Sequence, residues 1–220
     1  LGFDREKSLN SLLKLKKKIN FPKREMSSEH EIIFSAISEK KNVKKILEIG
    51  TFDGMNAYLL SHLFPSAEIT TIDLATDDET FSKTYNRQSN LTEFLKKRND
   101  ILDRCKNIIF KEMNSINLPG LDKKFDLIWV DGAHGFPIVT MDISNSLKLI
   151  NDDGFIICDD VFTIKPENED EMYVSIAAYE TLKIMQSENL IKFKLLFKRL
   201  DKKFNANPNL RQHIAFCKKN

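Results

Sequence analysis

The chain has 220 residues, enough for one domain with a full core. Its 34 basic and 32 acidic residues leave a formal charge of only +2, so charge makes no case for nucleic acid, and no stretch interleaves basic and aromatic residues as a base-stacking surface would. Hydrophobic residues make up 41% of the chain and charged residues 30%, as in a globular protein, and no apolar run nears the roughly 18 residues that read as a membrane-spanning helix.

In chain order, an amphipathic helix is expected first, with Leu9, Leu12, Leu13 and Ile19 on one side and Lys14, Lys16, Lys17 and Lys18 mostly on the other. No secretory leader is read there, and the start at Leu1 rather than a methionine leaves an upstream segment open. Ser28 and Glu31 have capping-box spacing, which predicts a second helix with Ile32, Ile33, Ala36 and Ile37 inward. Residues 1–40 therefore read as a helical cap ahead of the main domain, 41–220. Plain packing, an arm that builds a homodimer, and a lid over a site are the open uses of that cap.

Lys45 to Ile49 reads as a buried strand, Gly50 and Gly54 bracket a tight turn, Met55 to Phe64 is a helix, and Ala67 to Ile72 is a second strand ended by Asp73. This is half of a nucleotide-binding α/β fold. A glycine without Cβ lets backbone amides approach a ligand, and the helix N-terminus points at it. A carboxylate at Asp73 is placed to accept both hydroxyls of a ribose.

Asp77 to Ser89 reads as a polar loop with room for one short turn. Asn90 to Cys105 reads as a helix with Leu91, Phe94, Leu95, Ile101 and Leu102 inward, and Asn107 to Lys111 as the third strand. Lys124 to Val130 is the fourth strand, Pro137 to Ile150 a helix with the proline suited to its first turn, and Gly154 to Cys158 the fifth strand. An acidic loop, Thr163 to Glu171, precedes a helix from Met172 to Gln186. Lys192 to Phe197 and His213 to Phe216 close the chain as two strands joined by a turn carrying Asn205, Asn207 and Pro208. The basic clusters at Lys14 to Lys18 and Lys192 to Lys203 read as solvated faces. Cys105, Cys158 and Cys217 are an odd count without metal-ligand spacing, so reduced thiols in a cytoplasmic protein are the simplest reading. The fold class is α/β: a doubly wound, mostly parallel seven-stranded sheet with right-handed crossovers and a C-terminal antiparallel strand.

The glycines separate two kinds of cofactor. A dinucleotide site wants G-x-G-x-x-G, with pyrophosphate against the helix N-terminus. Here the pattern is E-x-G-x-x-x-G, from Glu48 through Gly50 to Gly54. An acid in a phosphate cradle repels its ligand, which disfavours a nicotinamide-linked oxidoreductase; beside an amino-acid-bearing cofactor it does not. The segment resembles motif I of the class I S-adenosylmethionine-dependent methyltransferases. The resemblance implies that Glu48, Gly50, Thr51 and Gly54 hold the methionine half of S-adenosylmethionine and Asp73 the ribose. It also puts Asn114 and Ser115 against the adenine, although the family often has an acid where Asn114 stands, and Asp131 at the border of the cofactor.

Strands four and five end in acids: Asp131 after one, Asp159 and Asp160 after the other. Ligands bind outside the carboxyl ends of such strands, so these acids share a crevice with Gly50 and Asp73. Together they repel one another unless something positive binds; a hard divalent cation such as Mg²⁺ would resolve the conflict. The plainer reading is that Asp159 or Asp160 caps a turn and Asp131 only touches the cofactor. The pattern Val130-Asp131-Gly132-Ala133-His134 followed by Asp159-Asp160 resembles small-molecule O-methyltransferases with a divalent metal, such as the catechol and macrocin O-methyltransferases. That likeness spans Ile46 to Phe162. It implies Asp131, Asp159 and Asp160 as Mg²⁺ ligands, with Asp131 also catalytic, and transfer of a methyl group to a hydroxyl of a small molecule such as a sugar or secondary metabolite. The catechol enzymes carry a lysine at about the position of His134, so His134 is the expected general base. The alternative is a non-catalytic binding or scaffold protein that retains the methyltransferase fold. Acceptor choice would lie in residues 1–40 and in the loop after strand five, where no signature is legible.

Overall fold

The structure is a computed structural model that describes residues 2–22, 29–84, 89–165, 175–198 and 211–220. Helix α1 (Arg5–Lys18) opens on Asp4, whose side chain accepts from the Lys7 N–H, and closes on Lys16, Lys17 and Lys18, where cations meet the negative end of the helix dipole. Helix α2 (Glu29–Lys40) follows, then β1 (Lys45–Ile49), α3 (Met55–Leu63), β2 (Glu68–Asp73), α4 (Glu79–Lys83), α5 (Leu91–Leu102) and β3 (Ile108–Glu112). A 3₁₀ turn (Ser115–Gly120) leads to β4 (Phe125–Val130), α6 (Ile138–Leu149), β5 (Ile150–Phe162), α7 (Ala177–Ser187), β6 (Ile191–Phe197) and β7 (Gln212–Lys219).

The strands form one sheet of seven in the order β3-β2-β1-β4-β5-β7-β6. The first five neighbours are parallel, and β7 runs antiparallel between β5 and β6. The chain winds outward from β1 to β3 and then returns to β4 on the other side of β1. The β1–β4 junction is therefore the topological switch point, where an open α/β sheet leaves a crevice at its carboxyl edge.

Period-two alternation divides the core between the two faces of the sheet. Leu47, Ile49, Ile128, Val130, Ile156 and Cys158 pack on one face with Val139 and Ile143 of α6 and Leu182 of α7. Ile46, Leu127, Trp129 and Ile157 pack on the other with Ile33, Phe34 and Ile37 of α2 and Leu60 of α3. Trp129 is fully buried, its ring 5.2 Å from that of Phe34. Helix α2 thus belongs to the same apolar core as β1 and β4. Helix α1 lies outside it, joined through Leu12, Ile32 and Leu59.

Several expectations need correction. Leu13 does not share the inward face of α1: it is 54% exposed, while Leu15 joins Leu9 and Ile19 against the core. Leu13 and Leu12 are about 100° apart on a helix, so only one can point straight in. The fifth strand is longer than Gly154–Cys158 and takes Asp159 and Asp160 into its span instead of ending before them. The last helix starts at Ala177. Its expected first residues 172–174, the Ser27-Ser28 cap, the acidic loop beyond 165 and the turn with Asn205, Asn207 and Pro208 lie outside the described residues. Among the described residues, no helix is long and apolar enough to cross a membrane.

Candidate active site

The turn after β1 is drawn tightly over the sheet edge. The N–H groups of Gly50 and Thr51 both donate to Ile72 O, at 2.9 and 3.1 Å, and the Asp131 N–H donates to Ile49 O at 2.9 Å. Gly50 has φ +98°, and a Cβ there would lie 2.1 Å from Asp131 O. Only glycine fits, because both the left-handed backbone and the facing carbonyl exclude a side chain. Gly54, also at positive φ, caps α3, and the Met55 N–H at the head of that helix donates to Asp53 Oδ1 at 3.0 Å. Asp73 stands at the end of β2, its carboxylate accepting from the Phe52 and Leu74 N–H groups, each at 2.9 Å. The glycine turn is thereby tied to the acid expected to hold a ribose.

Glu48 and Thr51 lie beneath this turn rather than on its surface. Glu48 is fully buried; it accepts from Asn56 Nδ2 at 2.7 Å and from the Thr71 hydroxyl, which is 2.6 Å from that of Thr51. Burial pushes its carboxyl up to about 7, against the pull of the hydrogen bonds from Thr71 and Asn56. Buried there, the Glu48 and Thr51 side chains brace the turn from behind. Asn114 caps the 3₁₀ turn, its side chain accepting from the Ile116 N–H at 3.0 Å, and Ser115 begins that turn. Both are half-buried after β3, beside the end of β2.

At the ends of β4 and β5 the expected acids do converge. Val130 pairs with Cys158, which sets Asp131 beside Asp159. The β5–β7 ladder shifts register between Cys158 and Val161, and Asp160 has φ +49°. This bulge turns Asp160 into the crevice. His134 is 7% exposed, with Nε2 3.9 Å from Asp131 Oδ1 and 3.7 Å from Asp160 Oδ2. Burial, and then the charges of Asp159 and Asp160, push the Asp131 carboxyl well above the usual carboxylate range.

The cation among these acids comes from the chain itself. Lys198 Nζ donates to Asp160 Oδ1 at 2.6 Å and lies 2.8 Å from Asp159 Oδ1. Burial works to lower the lysine's pKa, but the two carboxylates outweigh it and raise it above the ordinary value. As a metal centre, Asp131, Asp159 and Asp160 do not fit: the oxygens of the two β5 acids that would face an ion already face this ammonium. Among the described residues, no group of three or more His, Cys, Asp or Glu side chains is arranged to hold a metal ion.

A profile described as a methyltransferase domain matches residues 47–161, from β1 through β5. The chain belongs to the methyltransferase family. No curated protein matches it by sequence. Solved structures share its fold. A candidate O-methyltransferase from Klebsiella pneumoniae is 17% identical, with 97% of this chain and 90% of that one covered at a TM-score of 0.63. The O-methyltransferase TomG from Streptomyces achromogenes, involved in tomaymycin synthesis and solved with SAM, is 16% identical over 100% and 92% of the two chains at a TM-score of 0.61. An O-methyltransferase from Bacillus cereus, in complex with SAH, is 15% identical over 97% and 91% at 0.61.

Two features of this methyltransferase escaped the sequence reading. Lys198 was grouped with a solvated basic run, yet it is 3% exposed. Asp142, on the inner side of α6, is completely buried, and burial pushes it up to about 6. Its Oδ2 would lie 3.4 Å from a Cβ added at Gly132, close under the β4 loop. The signal for Lys198 existed only in three dimensions, since its carboxylate partner lies 38 residues away.

Proposed function

We propose that this methyltransferase transfers the methyl group of S-adenosylmethionine to a hydroxyl of a small molecule, with a sugar or secondary metabolite as the favoured acceptor class. The observation that carries the reading is the meeting, at one sheet edge, of a glycine turn tied to Asp73 and a histidine set between two carboxylates. The cofactor assignment draws support from the SAM and SAH held by the structural neighbours and from the fit of the site. Gly50 lets the turn close onto the Asp131 carbonyl at the sheet edge, and Asp73 beside it accepts from two backbone donors. Bound there, S-adenosylmethionine supplies an electrophilic methyl group. The chain's part is to hold the acceptor in line and to take its proton.

His134 is the group for that proton. Imidazole can accept a proton, and Asp160 beside Nε2 would stabilise the imidazolium that forms. Alignment of the two reactants can supply up to about 7–11 kcal/mol of the barrier reduction. The cytoplasmic placement of the enzyme belongs to the same reading and draws on its three free cysteines. The test is transfer of label from methyl-labelled S-adenosylmethionine to a panel of sugars, glycosides and polyphenols. Label on a hydroxyl, lost in His134→Gln, supports O-methylation. Label only on amines would overturn the choice of acceptor atom. Cofactor binding without transfer to any member would favour a binding protein.

A further inference from the structure

The acids that follow β4 and lie late in β5 call for a positive charge, and Lys198 supplies one. Lys198 follows the last residue of β6, and its N–H donates to Gln212 O at 3.0 Å. Gln212 in turn pairs with Phe162 of β5. The lysine is therefore fixed by two rungs of sheet to the strand that carries Asp159 and Asp160. It is not a long side chain sampling a surface, since the side chain is 3% exposed, with Asp159 at 7% and Asp160 at 18%.

We propose that the ammonium of Lys198 takes, from inside the chain, the place of a divalent cation at Asp159 and Asp160, so that this enzyme handles its acceptor without a bound metal ion. The proposal rests on the methyl-transfer reading for its catalytic meaning. Mg²⁺ would need carboxylate oxygens at about 2.1 Å in near-octahedral array, with several waters retained. The ammonium at 2.6 and 2.8 Å uses the same oxygens, and the burial of Asp159 leaves little room for water. The charge-assisted bond to Asp160 is strong and directional and fixes that carboxylate, while the ammonium offsets the charge of Asp159 at 2.8 Å. Asp160 is then held with its other oxygen toward His134. Lys198 is a positioning residue: it sets the acids, and proton removal stays with His134.

Mn²⁺ titration followed by electron paramagnetic resonance tests this on the whole chain. The wild type should show no saturable uptake. Lys198→Ala, which leaves the carboxylates without their cation, should take up one Mn²⁺ at least about tenfold more tightly than wild type, and adding Asp159→Asn should abolish that uptake. Saturable uptake by the wild type that Asp159→Asn removes would overturn the proposal, as would a folded Lys198→Ala that gains no affinity. If Lys198→Ala does not fold, the wild-type titration still decides, and Lys198→Arg, which keeps the charge, should also take up none. S-adenosylhomocysteine calorimetry on the same samples separates the two readings. Its failure would remove the methyl-transfer reading and leave the Mn²⁺ comparison standing, whereas Mn²⁺ uptake by the wild type beside intact cofactor binding would remove only the lysine's role.

Discussion

Replacing Glu48 by Gln should change how stability depends on pH. The carboxyl is fully buried under the glycine turn and its pKa rises from 4.5 to about 7 on folding. Below pH 4.5 both folded and unfolded chains hold the proton, and this group adds no pH dependence. Between 4.5 and about 7 the unfolded chain releases a proton that the folded chain keeps, so stability falls as pH rises. Above about 7 both are ionised and the loss is complete. At about 1.4 kcal/mol for each unit of pKa, that loss is about 3 kcal/mol. Glutamine cannot ionise, and its amide can keep the network. Its oxygen accepts from Asn56, its nitrogen donates to Thr71, and Thr71 donates to Thr51. Urea unfolding of both proteins at pH 5 and pH 8 gives the double difference, in which groups common to both cancel. Part of the loss has already occurred at pH 5, so Glu48→Gln should gain about 2.5 kcal/mol on the wild type between these pH values. Parallel pH profiles would refute a buried carboxyl bracing the turn.

Gly50→Ala should cost at least about 2 kcal/mol, seen as a lower melting temperature and lost cofactor binding, because its Cβ would meet the Asp131 carbonyl at 2.1 Å. His134→Gln should lower kcat by about 100-fold or more, with S-adenosylhomocysteine affinity unchanged; an unaltered kcat would retire it as base. Leu12→Ala should destabilise by about 2–3 kcal/mol, whereas Leu13→Ala should stay within about 0.5 kcal/mol, since Leu12 is 1% and Leu13 54% exposed; chemical denaturation of the pair checks the facing of α1.

The winding of the sheet was legible because its signals are local. Ile46, Leu47 and Ile49 before Gly50, and Ile69 and Ile72 before Asp73, are short apolar strands ended by a turn and an acid, and each lies where its own neighbours put it. That Asp131 and Asp159 come side by side on neighbouring strands was legible for the same reason, although β5 runs on past Asp160. Their electrostatic partner was not. In Lys192 to Phe197 the lysines alternate with apolar residues and read as a solvated edge, and Lys192 and Lys194 are indeed exposed. The alternation breaks at Leu195-Leu196, so that Phe197 is 39% exposed and Lys198 buried. Nothing local marks that inversion; it follows from carboxylates 38 residues away. The same holds for Glu48, whose place in the motif was plain but whose burial depends on Thr71 across the β1–β2 ladder.

Calorimetric titration of S-adenosylhomocysteine into the wild type and Asp73→Ala, each with and without chelator, tests the methyl-transfer reading most directly. Binding in the micromolar range that Asp73→Ala weakens by about tenfold or more, as the loss of a buried charged hydrogen bond should, is the expected result, with no effect of chelator on the wild type. No binding, or binding indifferent to Asp73, would contradict it.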